Sequence, residues 1–190
     1  QYALAYYGLG RAEMGRKDYR AAVRALLACR DLYIKEAGLR ATRELGAMQR
    51  RQEQINELRY ALREQQRGTQ TVAQQRVVQE LQNQISDLES RGLANDLDMR
   101  AQAPAFVSLS LGSAYFRSGA LAEAERAYLD AIEANPRMGE AYNNLAVVYL
   151  MMDRIAEAER AVRRAEKSGY RVNPGLRDAL RSRRGGRTSR

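Results

Sequence analysis

PAFVSLSLGSAYFRSGALAEAERAYLDAIEANP, residues 104–136, is the stretch whose reading decides the fold. Leu111, Gly112 and Tyr115 share one face of a helix, and Ala124, Tyr128 and Ala131 share one face of the next. Gly119 lies between them, where a chain reversal favours a residue without a Cβ. Asn135-Pro136 stops the second helix, because a residue before proline avoids the α region. Thirty-four residues later the pattern returns. Leu145, Ala146 and Tyr149 repeat the first face, and Ala158, Val162 and Ala165 repeat the second. Self-similarity at this period marks a stack of helix pairs.

These residues resemble the tetratricopeptide repeat (TPR). That family places an aromatic, Leu-Gly and Tyr on the first helix, and Ala, an aromatic, Ala and a closing Pro on the second. Residues 105–138 carry all of these except the first aromatic, which is Ser108. Residues 139–172 restore that aromatic as Tyr142 but lack the closing Pro. Stepping back three periods from the best repeat lands on Tyr6, Leu9, Gly10, Ala22, Leu26 and Cys29, so residues 1–36 read as a first, weaker repeat. Glu13 stands there in place of the tyrosine, and Asp18 is a candidate N-cap for the second helix. The resemblance implies an all-α solenoid of helix-turn-helix units, with repeats at 1–36, 104–138 and 139–172. Asn173-Pro174 opens a capping helix over 173–181, and 182–190 is expected to be a disordered basic tail.

Nothing stops the second helix of the first repeat, so it is expected to run from about Tyr19 to about Gln66. Gly68 suits a helix C-cap and Thr69 or Thr71 an N-cap, and a further helix follows over roughly Thr71–Met99. Met48, Ile55, Leu58 and Leu62 on one arm, and Val78, Leu81, Ile85 and Leu88 on the other, have heptad spacing. Reflection about Gly68 pairs Leu58 with Val78, Ile55 with Leu81 and Met48 with Leu88. Residues 37–103 therefore read as a long antiparallel helical hairpin, tip near Gly68, inserted after the first repeat. Two decayed repeats would fill the same length, but Arg43, Glu44, Asn56 and Arg63 would then occupy close-packed positions. A coiled coil between chains is the third reading of this segment.

Composition narrows the function. There is no histidine, which removes His-based catalysis, His metal sites and His pH switches. Cys29 is the lone cysteine and sits at a small packing position. It forms no disulfide within one chain, so the redox compartment stays open. Gly8 and Gly10 lie within a helix with no preceding strand, so YYGLGRAEMG is no phosphate loop. Glu123 with Glu125, and Glu157 with Glu159, read as solvated helix faces. No enzyme, cofactor or metal site is expected. No apolar run is long enough for a membrane span. The chain starts at Gln1 rather than Met, which reads as a fragment or a processed form. The expectation for localisation is a soluble chain, cytoplasmic or periplasmic, with the compartment unassigned.

What the resemblance implies is a concave groove lined by the first helix of each pair. The residues placed there are Tyr7, Arg11 and Met14, then Phe106, Leu109, Ser113, Phe116 and Arg117, then Asn143, Asn144, Val147, Leu150 and Met151. Such a groove suits an amphipathic helix or an extended apolar peptide of a protein partner, which makes the chain a scaffold or adaptor. The opposing reading is that Phe106 and Phe116 only pack against neighbouring elements. TPR domains that grip a C-terminal carboxylate use Lys, Asn and Arg at set positions. Only Asn144 matches, with Leu109 and Ser113 standing where the Lys and Asn would be, so a chaperone-tail clamp is not expected.

Net charge is +9, and only three of the 32 basic residues are lysine. RSRRGGRTSR at 181–190 holds five arginines and no acid. Such a tail suits a polyanion, but no aromatics interleave with it for base stacking, so nucleic acid is the weaker alternative. Self-assembly through 37–103, as a structural or envelope-assembly component, is the other.

Overall fold

The computed structural model describes residues 2–67, 71–93 and 102–187. All regular structure among them is helical: α1 Tyr2–Gly15, α2 Tyr19–Gln65, α3 Val72–Leu93, α4 Ala105–Arg117, α5 Leu121–Ala134, α6 Gly139–Met151, α7 Ile155–Lys167 and α8 Pro174–Arg187. Two compact units divide the chain, one of residues 1–35 with 102–190 and one of residues 36–101. Helix α2 belongs to the first unit through Lys35 and to the second from Glu36.

The first unit is a helical-repeat stack whose period is written in its turns. After α1, α4 and α6 the backbone takes a positive φ at Lys17 (63°), Gly119 (84°) and Asp153 (57°). The same two hydrogen bonds close each turn. Asp18, Ala120 and Arg154 N–H donate to the carbonyls of Glu13, Tyr115 and Tyr149. Lys17, Gly119 and Asp153 N–H donate to those of Met14, Phe116 and Leu150. This is the Schellman arrangement, three times in one register. Two of the three positive-φ positions hold a residue with a side chain, which a left-handed conformation disfavours. The packing of the helix pair therefore sets the turn at Lys17 and Asp153, where glycine alone would have signalled it.

Small residues on the first helix let the second approach. A Cβ on Gly10 would lie 2.6 Å from Leu26 Cγ, and one on Gly112 would lie 2.6 Å from the Tyr128 ring. Ala146 and Val162 hold the corresponding places in the third repeat, both in the core. The second helices then cover the following repeat. Ala22 and Leu26 cluster with Leu111 and Ala114, while Ala124 and Tyr128 cluster with Leu145 and Val148. Asp18 caps α2 as its sequence suggested, with Ala21 N–H donating to Oδ1 at 2.9 Å.

Helix α8 buries Leu176 and Leu180 in the same core as Val162 and Ala165. It does not stop near Arg181. It continues to Arg187, so Ser182–Arg187 are helical where a disordered tail was expected, and residues 188–190 lie outside the described residues. Arginine is a strong helix former, and Arg183 pairs with Asp153 at 3.1 Å beyond the expected end.

In the second unit, Thr71 opens α3 with a capping box. Gln74 N–H donates to Thr71 Oγ1 at 3.3 Å, and Thr71 N–H donates to Gln74 Oε1 at 2.8 Å. Gly68 and Thr69 lie outside the described residues, as does the stretch from 94 to 101 into which α3 was expected to run. The chain reverses between α2 and α3, since Arg59 and Glu89 pair at 2.7 Å. Thirty residues of straight helix would hold them roughly 45 Å apart. This bond departs from the reflection about Gly68, because Arg59 lies nine residues before that glycine and Glu89 twenty-one after it. Among the described residues of this unit only Ile55 and Ile85 are buried.

Candidate functional site

A cavity of about 220 Å³ opens in the first unit. Helix α4 contributes Ser113, Phe116 and Arg117, α6 contributes Asn144 and Val147, and α1 contributes Met14. Tyr128 of α5 forms its floor. Phe116 and Arg117 are neighbours in the last turn of α4, so one turns its ring towards the core while the other keeps its guanidinium exposed. Arg117 forms no ion pair among the described residues.

The polar groups of the cavity are chained together. Tyr128 OH donates to Ser113 Oγ at 3.3 Å, and Ser113 Oγ–H donates to the Leu109 carbonyl at 3.0 Å. Burial pushes the Tyr128 phenol up, outweighing the bond to Ser113, so the floor stays neutral at ordinary pH. Asn143 Nδ2 donates to Asn144 Oδ1 at 3.2 Å. The arrangement offers an apolar hollow with a neutral hydroxyl below, an amide on one wall and a cation at the rim. It contains no nucleophile with an adjacent base. Among the described residues no cluster of His, Cys, Asp or Glu is placed to hold a metal ion.

Of the residues assigned to the groove from sequence, Ser113, Phe116, Arg117, Asn144 and Val147 meet at this cavity, together with Met14. Phe106 does not line it. Its ring stands edge-on to Tyr7 at 4.9 Å and to Tyr33 at 6.4 Å, so it locks α4 to the first repeat. Tyr7 belongs to the same cluster and its OH lies 3.3 Å from Ser110 Oγ. Leu109 and Leu150 are half-buried against the core. Asn143 is half-buried, and its Oδ1 is a buried acceptor with no partner among the described residues. Arg11 and Met151 are exposed. Tyr128 was not anticipated in the site, because its spacing marks it as a second-helix core residue. Its fit against Gly112, a residue with no side chain, is the signal that brings the phenol through to the groove side.

A basic cleft lies apart from this cavity, lined by Arg160, Arg163, Arg164 and Lys167 of α7. Arg163 has Glu159 at 3.8 Å, whereas Arg160, Arg164 and Lys167 make no ion pair among the described residues. No helix among the described residues is long and apolar enough to cross a membrane.

Comparison with curated proteins returns no match to this chain. Family models do match. Residues 107–138 match a tetratricopeptide repeat, and residues 127–160 match a second model of the same description. The first match covers the α4–α5 pair from residue 107, and the second runs from α5 through α6 into the first half of α7, so the two together cover residues 107–160. On these matches, and on the 34-residue register of its turns, residues 107–160 are identified as tetratricopeptide repeat sequence.

Proposed function

We propose that the first unit is a non-catalytic interaction module. It binds a peptide or helix of a partner protein in the cavity between α1, α4 and α6. The observation that carries this reading is Arg117, which forms no ion pair among the described residues, beside the apolar hollow of Met14, Phe116 and Val147. One large apolar side chain fills the hollow, Asn144 meets a backbone amide, and an acidic residue next to the anchor meets Arg117. Selection from a random-peptide display library tests it. Enriched sequences carry a large apolar residue flanked by Asp or Glu, and Arg117→Glu loses them. Enrichment of basic peptides, or of peptides indifferent to residue 117, contradicts it.

Two further readings each have an observation in their favour. Leu39, Leu45, Met48, Tyr60 and Val77 are exposed on the arms of the second unit, which supports self-association through residues 37–103. That reading requires a mass that rises with concentration and falls to the monomer when the arms are deleted. The cleft of Arg160, Arg163, Arg164 and Lys167 supports a polyanion such as nucleic acid. That reading requires binding that weakens steeply with salt and with Arg164→Glu.

A further inference from the structure

A second cavity of the first unit, of about 210 Å³, lies where the α5–α6 turn meets the end of α7. Pro136, Arg137 and Tyr142 line it from the turn and α6, and Arg164, Lys167 and Ser168 from α7 and its cap. It shares no residue with the cavity floored by Tyr128. The packing that forms it is close. A Cβ on the buried Gly139 would collide with Ser168 Oγ and Tyr170 Cβ, so glycine lets α6 start directly against the end of α7. Asn135 fixes the turn. Its Oδ1 accepts from Arg137 N–H at 3.1 Å, and its carbonyl accepts from Met138 N–H at 3.0 Å.

Arg137 thus joins Arg164 and Lys167 at one hollow, and none of the three forms an ion pair among the described residues. Elsewhere the same unit pairs its arginines: Arg154 with Glu125, Arg177 with Glu166 and Arg183 with Asp153. Part of this charge serves the helix itself, because Arg164 and Lys167 lie in the last turn of α7, where cations complement the carbonyl end. That does not account for Arg137, which lies outside the helix. The carbonyls that would repel an anion are also already engaged. Ser168 N–H donates to the Arg164 carbonyl at 3.1 Å and Gly169 N–H to that of Glu166 at 2.9 Å. Ser168 Oγ–H and Tyr170 N–H both donate to the Ala165 carbonyl, at 2.6 and 3.0 Å. Cations brought to one hollow from two elements, without acids of their own, suit a compact anion held by charge-assisted hydrogen bonds.

We propose that the cavity between Arg137 and the Arg164–Lys167 pair binds a phosphate monoester, either free or carried on a serine side chain. The two guanidinium groups take its oxygens as forks, and the Lys167 ammonium adds a point charge. A long polyanion is the poorer occupant, because a track along α7 would use Arg160 as much as Arg164, and Arg160 does not line this cavity. The site is separate from the peptide cavity, so the failure of either reading leaves the other standing.

The test titrates the full chain with inorganic phosphate and with an alanine-glycine peptide carrying one phosphoserine, read by amide chemical shifts, with circular dichroism confirming that each variant is folded. Saturable binding is expected, with the unphosphorylated peptide inert. Arg137→Gln and Arg164→Gln are each expected to weaken it by at least about tenfold. Arg160→Gln removes the same charge from α7 outside the cavity and is expected to change affinity by less than about twofold. A phosphopeptide that binds more tightly than phosphate assigns the site to a phosphorylated protein, and equal affinities assign it to a free phosphate compound; either supports the proposal. No saturable binding of either probe, or equal losses in all three arginine variants, overturns it. So does a single-stranded oligonucleotide that binds where both probes fail and is weakened by Arg160→Gln, since the face would then be a track for nucleic acid.

Discussion

Gly112 leaves room for the ring of Tyr128 and for nothing else, since a Cβ at 112 would stand 2.6 Å from both Cδ1 and Cε1. The contact is a packing feature of the repeat and also the reason the cavity has a floor. Replacing Gly112 by Ala gains about 1 kcal/mol of helix propensity. It also forces a ring that is 2% exposed to move, at a cost of about 1–3 kcal/mol for overpacking. The expected outcome of Gly112→Ala is a lower melting temperature together with weaker peptide binding. Gly10→Ala meets the buried Leu26 side chain instead, smaller than the Tyr128 ring, and is expected to cost less. Equal losses at the two sites in thermal melts contradict this account.

Repeats two and three are clamped by Arg154. Its guanidinium takes both oxygens of Glu125 at 2.8 and 2.7 Å, reaches Glu157 at 3.0 Å, and lies 4.4 Å above the Tyr149 ring. The side chain is partly exposed, so the pair with Glu125 is expected to be worth about 1 kcal/mol after screening. A double-mutant cycle of Arg154→Ala and Glu125→Ala measures it, and additive losses contradict the clamp. Arg154 also holds the Glu157 carboxyl below its ordinary range. A depressed folded pKa gives stability that is present above the unfolded value of about 4.3 and lost as pH falls through the folded one. The acid limb of stability is therefore expected to flatten in Arg154→Ala.

Two phenols should resist alkali. Tyr128 and Tyr149 are both pushed up, in each case chiefly by burial. A raised folded pKa leaves stability intact below the unfolded value of about 10 and erodes it as pH climbs past that point. Tyrosinate absorbance is expected to show these two of the eleven tyrosines ionising late, with loss of helicity. Smooth titration of all eleven in a folded chain contradicts it.

The arms of the second unit bury only Ile55 and Ile85 among their described residues, against three clusters of buried residues in the repeats. Residues 36–93 are expected to exchange their amides faster than α4–α7. Thr71→Ala is expected to cost about 1 kcal/mol of α3 stability through the lost capping box, with no effect on the melting of the repeats. Protection of the arms equal to that of α4–α7 contradicts this.

The repeat phase was legible because packing constrains it. Leu111, Gly112 and Tyr115 recur at one spacing, and so do the turns at Lys17, Gly119 and Asp153. The helix boundaries at Tyr19, Gln65 and Asn135 follow from caps and breakers that act locally. The site was legible only in part. Counting along first helices brings in Phe116, Asn144 and Val147 but also Phe106, because spacing does not distinguish a ring facing the groove from one facing Tyr7 and Tyr33. Tyr128 reaches the cavity from a second helix, a consequence of three-dimensional fit against Gly112. Arg59 with Glu89 shows the same limit in the arms, where the observed pair departs from the register that reflection about Gly68 gives.

The central claim rests on the two phenylalanines having different jobs. The most direct measurement is the calorimetric affinity of a library-selected peptide for the wild type, Phe116→Ala and Phe106→Ala, with circular dichroism confirming that each is folded. The account predicts a loss of at least about tenfold for Phe116→Ala, as befits an anchor pocket. It predicts near-wild-type affinity, with a lower melting temperature, for Phe106→Ala. Full affinity in Phe116→Ala, or a larger loss in Phe106→Ala than in Phe116→Ala at equal foldedness, would contradict it.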